Sequence, residues 1–167
     1  MVIIGIDPGT TKSGIATVDF HVGCSTGACY RATLIASADM ENHEILKELH
    51  KIRLDFFNSA VIAIEHIISR KWSGRETSDA AIWSGVFAGQ IFSQTRFVTR
   101  ARVRWEILQQ KTGGDKEINK ALKTPDDRFP GLSDSILALK PGSHQMAAVA
   151  VAVAAFLNPE CSKLGGI

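Results

Sequence analysis

Three short apolar-rich runs open the chain, at residues 2–6, 14–20 and 30–38, each of strand length and each ending at polar or glycine-containing positions. The link at 21–28 is rich in Gly, Ser and Thr, as a hairpin loop is. The period then changes. Ile45, Leu46, Leu49, Ile52 and Phe56 recur at three- and four-residue spacing, predicting a helix over 39–57 with Asp39 as its N-cap. Residues 60–64 read as a short buried strand that ends in Glu65, and 70–75 as an exposed loop. A helix follows over 77–94, and its Ala80, Ala81, Ser84, Gly85, Ala88 and Gly89 permit close approach of another helix. A short strand at 96–99, helices at 103–110 and 116–122, a flexible turn at 111–114 and a polar loop at 124–130 come next. A short helix at 134–139 precedes Pro141-Gly142. Ser143 then has the character of an N-cap for a last helix, 144–157, apolar nearly all round and therefore expected to be buried. With no repeat and no linker, the pattern predicts a single α/β domain over 1–167. Its expected core is three antiparallel strands, a crossover helix and further strands, with helices on both faces.

Length and composition agree with that reading. A chain of 167 residues, 45% hydrophobic and 22% charged, buries an ordinary core without disulfide or metal staples. Cys24, Cys29 and Cys161 form an odd set without a framework, which fits a reducing, cytoplasmic setting. His21 with Cys24 and Cys29 lacks the fourth ligand and second paired motif of a zinc site. The longest uncharged apolar stretch, 146–157, is too short to span a bilayer, and the first residues lack a basic segment and a cleavage site. No membrane association is expected.

Net charge is only +2, but it is unevenly spread. Between His66 and Trp105 stand seven bases (Arg70, Lys71, Arg75, Arg96, Arg100, Arg102, Arg104) against two acids, Glu76 and Asp79. Bases interleaved with Trp72 and Trp105 suit a phosphate backbone with stacking groups nearby, so nucleic acid is the expected partner. Arg70, Lys71, Arg75, Arg100, Arg102 and Arg104 are the candidate phosphate contacts.

The chemistry starts at Asp7. A buried strand delivers this carboxylate to the turn Asp7-Pro8-Gly9-Thr10-Thr11, where it either caps the turn or anchors a metal ion. Glu65 also stands where an apolar strand ends. If the two strands are neighbours, both carboxylates emerge at one sheet edge, and such hard oxygen ligands select Mg²⁺, or Mn²⁺ as a substitute. Two ions about 3.5–4 Å apart can activate water and stabilise the leaving oxygen in phosphodiester hydrolysis. His144, opening the last helix, is a candidate further ligand because its first turn can point back at the sheet.

These pieces together resemble the RuvC family of Holliday-junction resolvases, in the ribonuclease H-like superfamily. The matching segments are IIGIDPGTTKSGIA (3–16), VIAIEH (61–66), the small-residue helix around 83–90, GGDK (113–116) and SHQMAAVAVA (143–152), in the family's order. Residues 70–75 and 125–140 match poorly. The resemblance implies a ribonuclease H-like mixed sheet and divalent-metal-dependent cutting of four-way DNA by a homodimer. Asp7 and Glu65 resemble the first two metal-binding carboxylates, His144 sits where relatives carry Asp or His, and Lys116 resembles a lysine near the scissile phosphate. The helix at 77–94 is the expected dimer surface.

Two departures matter. Relatives carry an acid three residues after the His144 position; this chain has Ala147, and no Asp or Glu occurs between Ser135 and Pro159. The expectation is a nuclease site inactivated at Ala147 that still binds junctions. The second departure follows Glu65, where an aromatic often wedges between bases; here Ile68 or Trp72 would serve. Three other readings share the same residues. DPGTT also resembles the phosphate loop of sugar kinases, actin and Hsp70-type ATPases. A processing nuclease on structured RNA and a naturally inactive junction-binding protein are the others.

Overall fold

The run of Val and Ile at the start of the chain is buried from Ile3 to Ile6, so it has to be covered on both faces. It forms β1 (Val2–Asp7), the middle of a five-stranded sheet. In the computed structural model, which describes residues 1–22, 30–55, 60–68, 74–90 and 95–158, β2 (Lys12–Val22) pairs antiparallel with β1 and with β3 (Tyr30–Glu41). On the other side β4 (Ala60–His66) and β5 (Thr95–Thr99) run parallel to β1, giving the order β3-β2-β1-β4-β5. This is the mixed ribonuclease H-like sheet expected from the sequence.

Side chains alternate across the sheet, and the alternation assigns its two cores. Ile4, Ile6, Ile62 and Ile64 face α1 (Asn42–Asp55) and α2 (Arg75–Gln90), where Ile45, Leu49 and Phe87 cover them. Ile3, Ala16, Val18 and Ala63 face the opposite layer of α3 (Arg100–Leu108), α4 (Asp115–Lys123) and α6 (His144–Leu157). From Met146 to Ala155, α6 is buried at every position but Ala147. It lies against β1 and β2 with backbone nearly touching backbone. A Cβ on Gly5 would fall 2.0 Å from the Ala148 carbonyl oxygen, and one on Gly14 would fall 2.1 Å from that of His144. Ser143 caps the helix as expected, its hydroxyl accepting from the Met146 N–H.

Some boundaries differ from the sequence reading. Asp39 does not cap a helix: it lies in β3, opposite Gly14, and the strand continues to Glu41. The true first residue of α1, Asn42, is buried; it donates to the Gly9 and Thr10 carbonyls and accepts from the Ser13 hydroxyl. An amide side chain locking a neighbouring turn leaves no periodicity to read. The helix expected over 134–139 is instead a single turn, α5 (Leu132–Ser135), which packs on β3 through a Ser135 hydroxyl bonded to the Leu34 N–H. Arg128 ties the preceding loop to the end of α3, donating to the Glu106 and Ile107 carbonyls while ion-paired to Asp126. Phe56, Cys24, Cys29 and Cys161 lie outside the described residues.

The close approach of α6 sets a measurable limit. Gly5→Ala and Gly14→Ala force the helix off the sheet, and each is expected to lower unfolding free energy by about 2–3 kcal/mol in urea titrations, the upper range for overpacking. Unchanged midpoints would show that α6 is not seated on these glycines.

Candidate active site

Ile6 pairs with Ile64 across β1 and β4, so Asp7 and Glu65, one residue further along each strand, end side by side. Both share the sheet face of Gly5 and Ala63, which is the face under α6. Glu65 is buried, and its backbone carbonyl accepts from the Ser84 hydroxyl of α2. Asp7 is mostly buried and is followed by a locked turn: the Gly9 N–H donates inward to Ser13 Oγ, and Asn42 holds the carbonyls on the other side. Parallel pairing and a rigid turn together hold two carboxylates in contact.

The first turn of α6 lies above them. Because Gly14 pairs with Asp7 and admits the His144 backbone, the His144 ring falls beside the first acid, with Nδ1 2.6 Å from Asp7 Oδ2. Ala147, one turn further, lines the same pocket of about 270 Å³ with Asp7, Glu65 and His144. The opposite wall is supplied by Arg100, at the start of α3, and Asp115, at the start of α4. Arg100 joins them: one guanidinium nitrogen is 3.4 Å from Glu65 Oε2 and the other 2.5 Å from Asp115 Oδ1. A shallower hollow of about 510 Å³, lined by Thr10, Thr11, Lys12 and Thr77, shares His144 and Ile67 with the first. The two hollows flank His144.

Electrostatics mark the pocket as strained for charge. Burial and a hydrogen bond with Asp7 push the Glu65 carboxyl from its ordinary 4.5 up to about 8, against the opposing pull of Arg100. His144 is raised above the ordinary imidazole value, chiefly by its hydrogen bond to Asp7, with smaller help from Asp39 and Glu65. Crowded carboxylates that hold protons are the arrangement a hard cation relieves. No three His, Cys, Asp or Glu side chains converge as a preformed metal cage among the described residues. The donor set of Asp7 and Glu65 therefore fits a divalent ion bound through two carboxylates and completed by water or phosphate oxygens, a usual mode for Mg²⁺.

The remaining candidates are dispersed. Lys116 is exposed on the first turn of α4, and its neighbour Asp115 is the one that lines the pocket. Arg75 is an exposed partner of Asp79, Arg102 pairs with Glu106, and Arg96 donates to the Ala155 carbonyl at the base of the fold's α6 layer. Arg104 is half-buried, with its Nε hidden from solvent and without a hydrogen-bond partner. Ile68 is 57% exposed beyond the end of β4 and Trp105 is 43% exposed on α3. Arg70, Lys71 and Trp72 lie outside the described residues. The sequence pattern does not reveal Asp115, and it reads Arg100 as an outer phosphate contact. The signal that could have found Asp115 is the Gly-Gly pair directly before it, which starts a helix there.

Linkage gives the pocket a pH signature. A carboxyl raised in the folded state contributes stability below about pH 4.5 that is lost as pH rises through about 8. His144 acts with the same sign. In chelator, the protein is expected to lose unfolding free energy between about pH 5 and about pH 8, and Glu65→Gln to flatten that slope. Parallel slopes for the two proteins would refute the Glu65 assignment.

No family profile and no curated protein sequence matches the chain. Solved structures do. RuvC of Thermus thermophilus superposes with a TM-score of 0.68 at 17% identity, covering 98% of each chain. The T. thermophilus RuvC complex with a Holliday-junction substrate gives 0.67 at 17%, covering 99% of this chain and 97% of that one. The fowlpox virus resolvase in complex with Holliday-junction DNA gives 0.50 at 13%, covering 97% and 100%. With nearly the whole of each chain superposed, the chain has the fold of the RuvC-type Holliday-junction resolvases.

Proposed function

We propose that the chain is a four-way-junction DNA-binding protein built on a metal-dependent endonuclease site, and that Ala147 severely impairs its cutting. The observation that carries this reading is one pocket in which Asp7 and Glu65 touch beneath His144 and Ala147. The fold's likeness to resolvases solved with Holliday-junction DNA supports the choice of substrate.

Asp7 and Glu65 would hold Mg²⁺, with Mn²⁺ as a substitute. Such an ion, when bound, lowers the pKa of a water and offsets charge on a phosphoryl oxygen. His144 holds a proton against Asp7 and fixes the orientation of that carboxylate. Lys116 neutralises phosphate charge from the first turn of α4. Arg70, Lys71, Arg75, Arg102 and Arg104 meet the DNA backbone, and Ile68 or Trp72 wedges the junction centre. An acid at position 147 would face the same pocket as Asp7, and alanine leaves that wall without a ligand.

Two sites are needed to cut opposing strands, so the working form is a homodimer. The outward stripe of α2 supports this: Ile82 is 63% exposed, Val86 is exposed, and Gly85 and Gly89 have open space where a Cβ would project. Ala80, Ser84 and Phe87 bury the other face. The nucleotide-loop alternative is weakened by the turn itself, because the Gly9 N–H that a phosphate would require already donates to Ser13. Among the described residues no helix is long and apolar enough to cross a membrane.

Ala147→Asp is expected to raise Mg²⁺-dependent cutting of a four-way junction by about a thousandfold or more, the scale of restoring an essential catalytic group. Asp7→Asn in that background should abolish the gain. A revertant as inert as the starting chain would overturn the site assignment. Ile82→Glu is expected to shift sedimentation from dimer to monomer while far-ultraviolet circular dichroism shows the fold retained; an unchanged dimer would exclude α2 as the interface.

A further inference from the structure

The mixed charge of the pocket suggests a role for Arg100 that its place in a basic run conceals. Its guanidinium is the fixed cation of the site. It spans Glu65 and Asp115, 3.4 and 2.5 Å away, as His144 sits against Asp7 at 2.6 Å. Each of the two strand-end carboxylates therefore has a basic partner. Arg100 opens α3, whose Thr99 cap accepts from the Arg102 N–H, so the positive end of a helix reinforces it. About a third of its side chain remains exposed, on the side open to the pocket's solvent.

The position of Arg100 indicates what this arrangement accepts. Its guanidinium lies between Glu65 and Asp115, where a cation shared by those two carboxylates would otherwise sit. A second ion would need a further acid, and the pocket wall where α6 could supply one carries Ala147. We infer that Arg100 takes the place of a second divalent cation, so that the chain binds one metal ion and meets the substrate phosphate with the guanidinium. Arginine suits this role because its planar fork has five N–H donors, and two carboxylate contacts leave donors for phosphate oxygens. The inference rests on the junction-nuclease reading and deepens it, by assigning Arg100 to the reacting phosphate and not to the outer DNA path.

The test counts Mn²⁺ bound by the full-length protein without DNA, by electron paramagnetic resonance and calorimetry. One ion per chain is expected for the chain as it stands and for Ala147→Asp, which gains a ligand but keeps the guanidinium. Two ions are expected for Ala147→Asp with Arg100→Ala. Arg100→Lys in the same background, which keeps the charge, should return the count to one, and circular dichroism melts report whether each variant is folded. Two ions in either protein that retains Arg100, or one in a folded double variant, would overturn the inference while leaving junction binding intact. Failure to bind both Mn²⁺ and four-way DNA would instead overturn the reading beneath it.

Discussion

The direct seating of α6 on β1 and β2 is the contact that positions everything else in the site. Helix and sheet meet with carbonyl oxygens lying where the Cβ atoms of Gly5 and Gly14 would be. Close packing of this kind leaves no slack, so the axial position of the helix is fixed to within a fraction of a residue. Gly14 is also the partner of Asp7 in the sheet, which places the start of α6 above the first carboxylate. The glycine that removes a side chain from the core thus sets the position of His144. Parallel pairing of β1 with β4 does the same for Glu65. The site is a consequence of sheet register and helix seating.

Electrostatics then decide what the site can hold. Burying two carboxylates in contact is unfavourable, and protons on Glu65, His144 beside Asp7 and Arg100 beside Glu65 each relieve part of the cost. Such relief makes the pocket complementary to positive charge from several sources. Ala147, on the same wall, adds no charge to that demand. Between Met146 and Ala155 it is the one position of α6 that is not buried. Position 147 therefore faces the pocket, and its side chain is set by the pocket's chemistry more than by packing on the sheet.

The sheet and the last helix are legible in the sequence because their signals are local. Apolar runs with turns between them mark the five strands, and Ser143 before an apolar stretch marks the start of α6. Asp7, Glu65 and His144 are legible as a set because each stands at an element end, where side chains from different elements can meet; Ala147 is legible only through the family resemblance. Asn42, Asp115 and the role of Arg100 are hidden for the complementary reason: their partners lie 15 to 35 residues away, and no period records such pairs. A polar residue inside a basic run reads as surface until a partner acid is located in space. Asp39 misleads in the same way, since a strand that continues past its apolar part looks like a helix start.

Recognition of branched DNA by this pocket and its surround is what the functional reading stands on. Its most direct measurement is equilibrium competition, at fixed salt and with Ca²⁺ present, among a four-way junction, a linear duplex of the same sequence and a folded RNA. The junction is expected to be bound at least about a hundredfold more tightly than either competitor, the scale of specific over non-specific binding. Equal affinity for junction and duplex, or preference for the RNA, would contradict it.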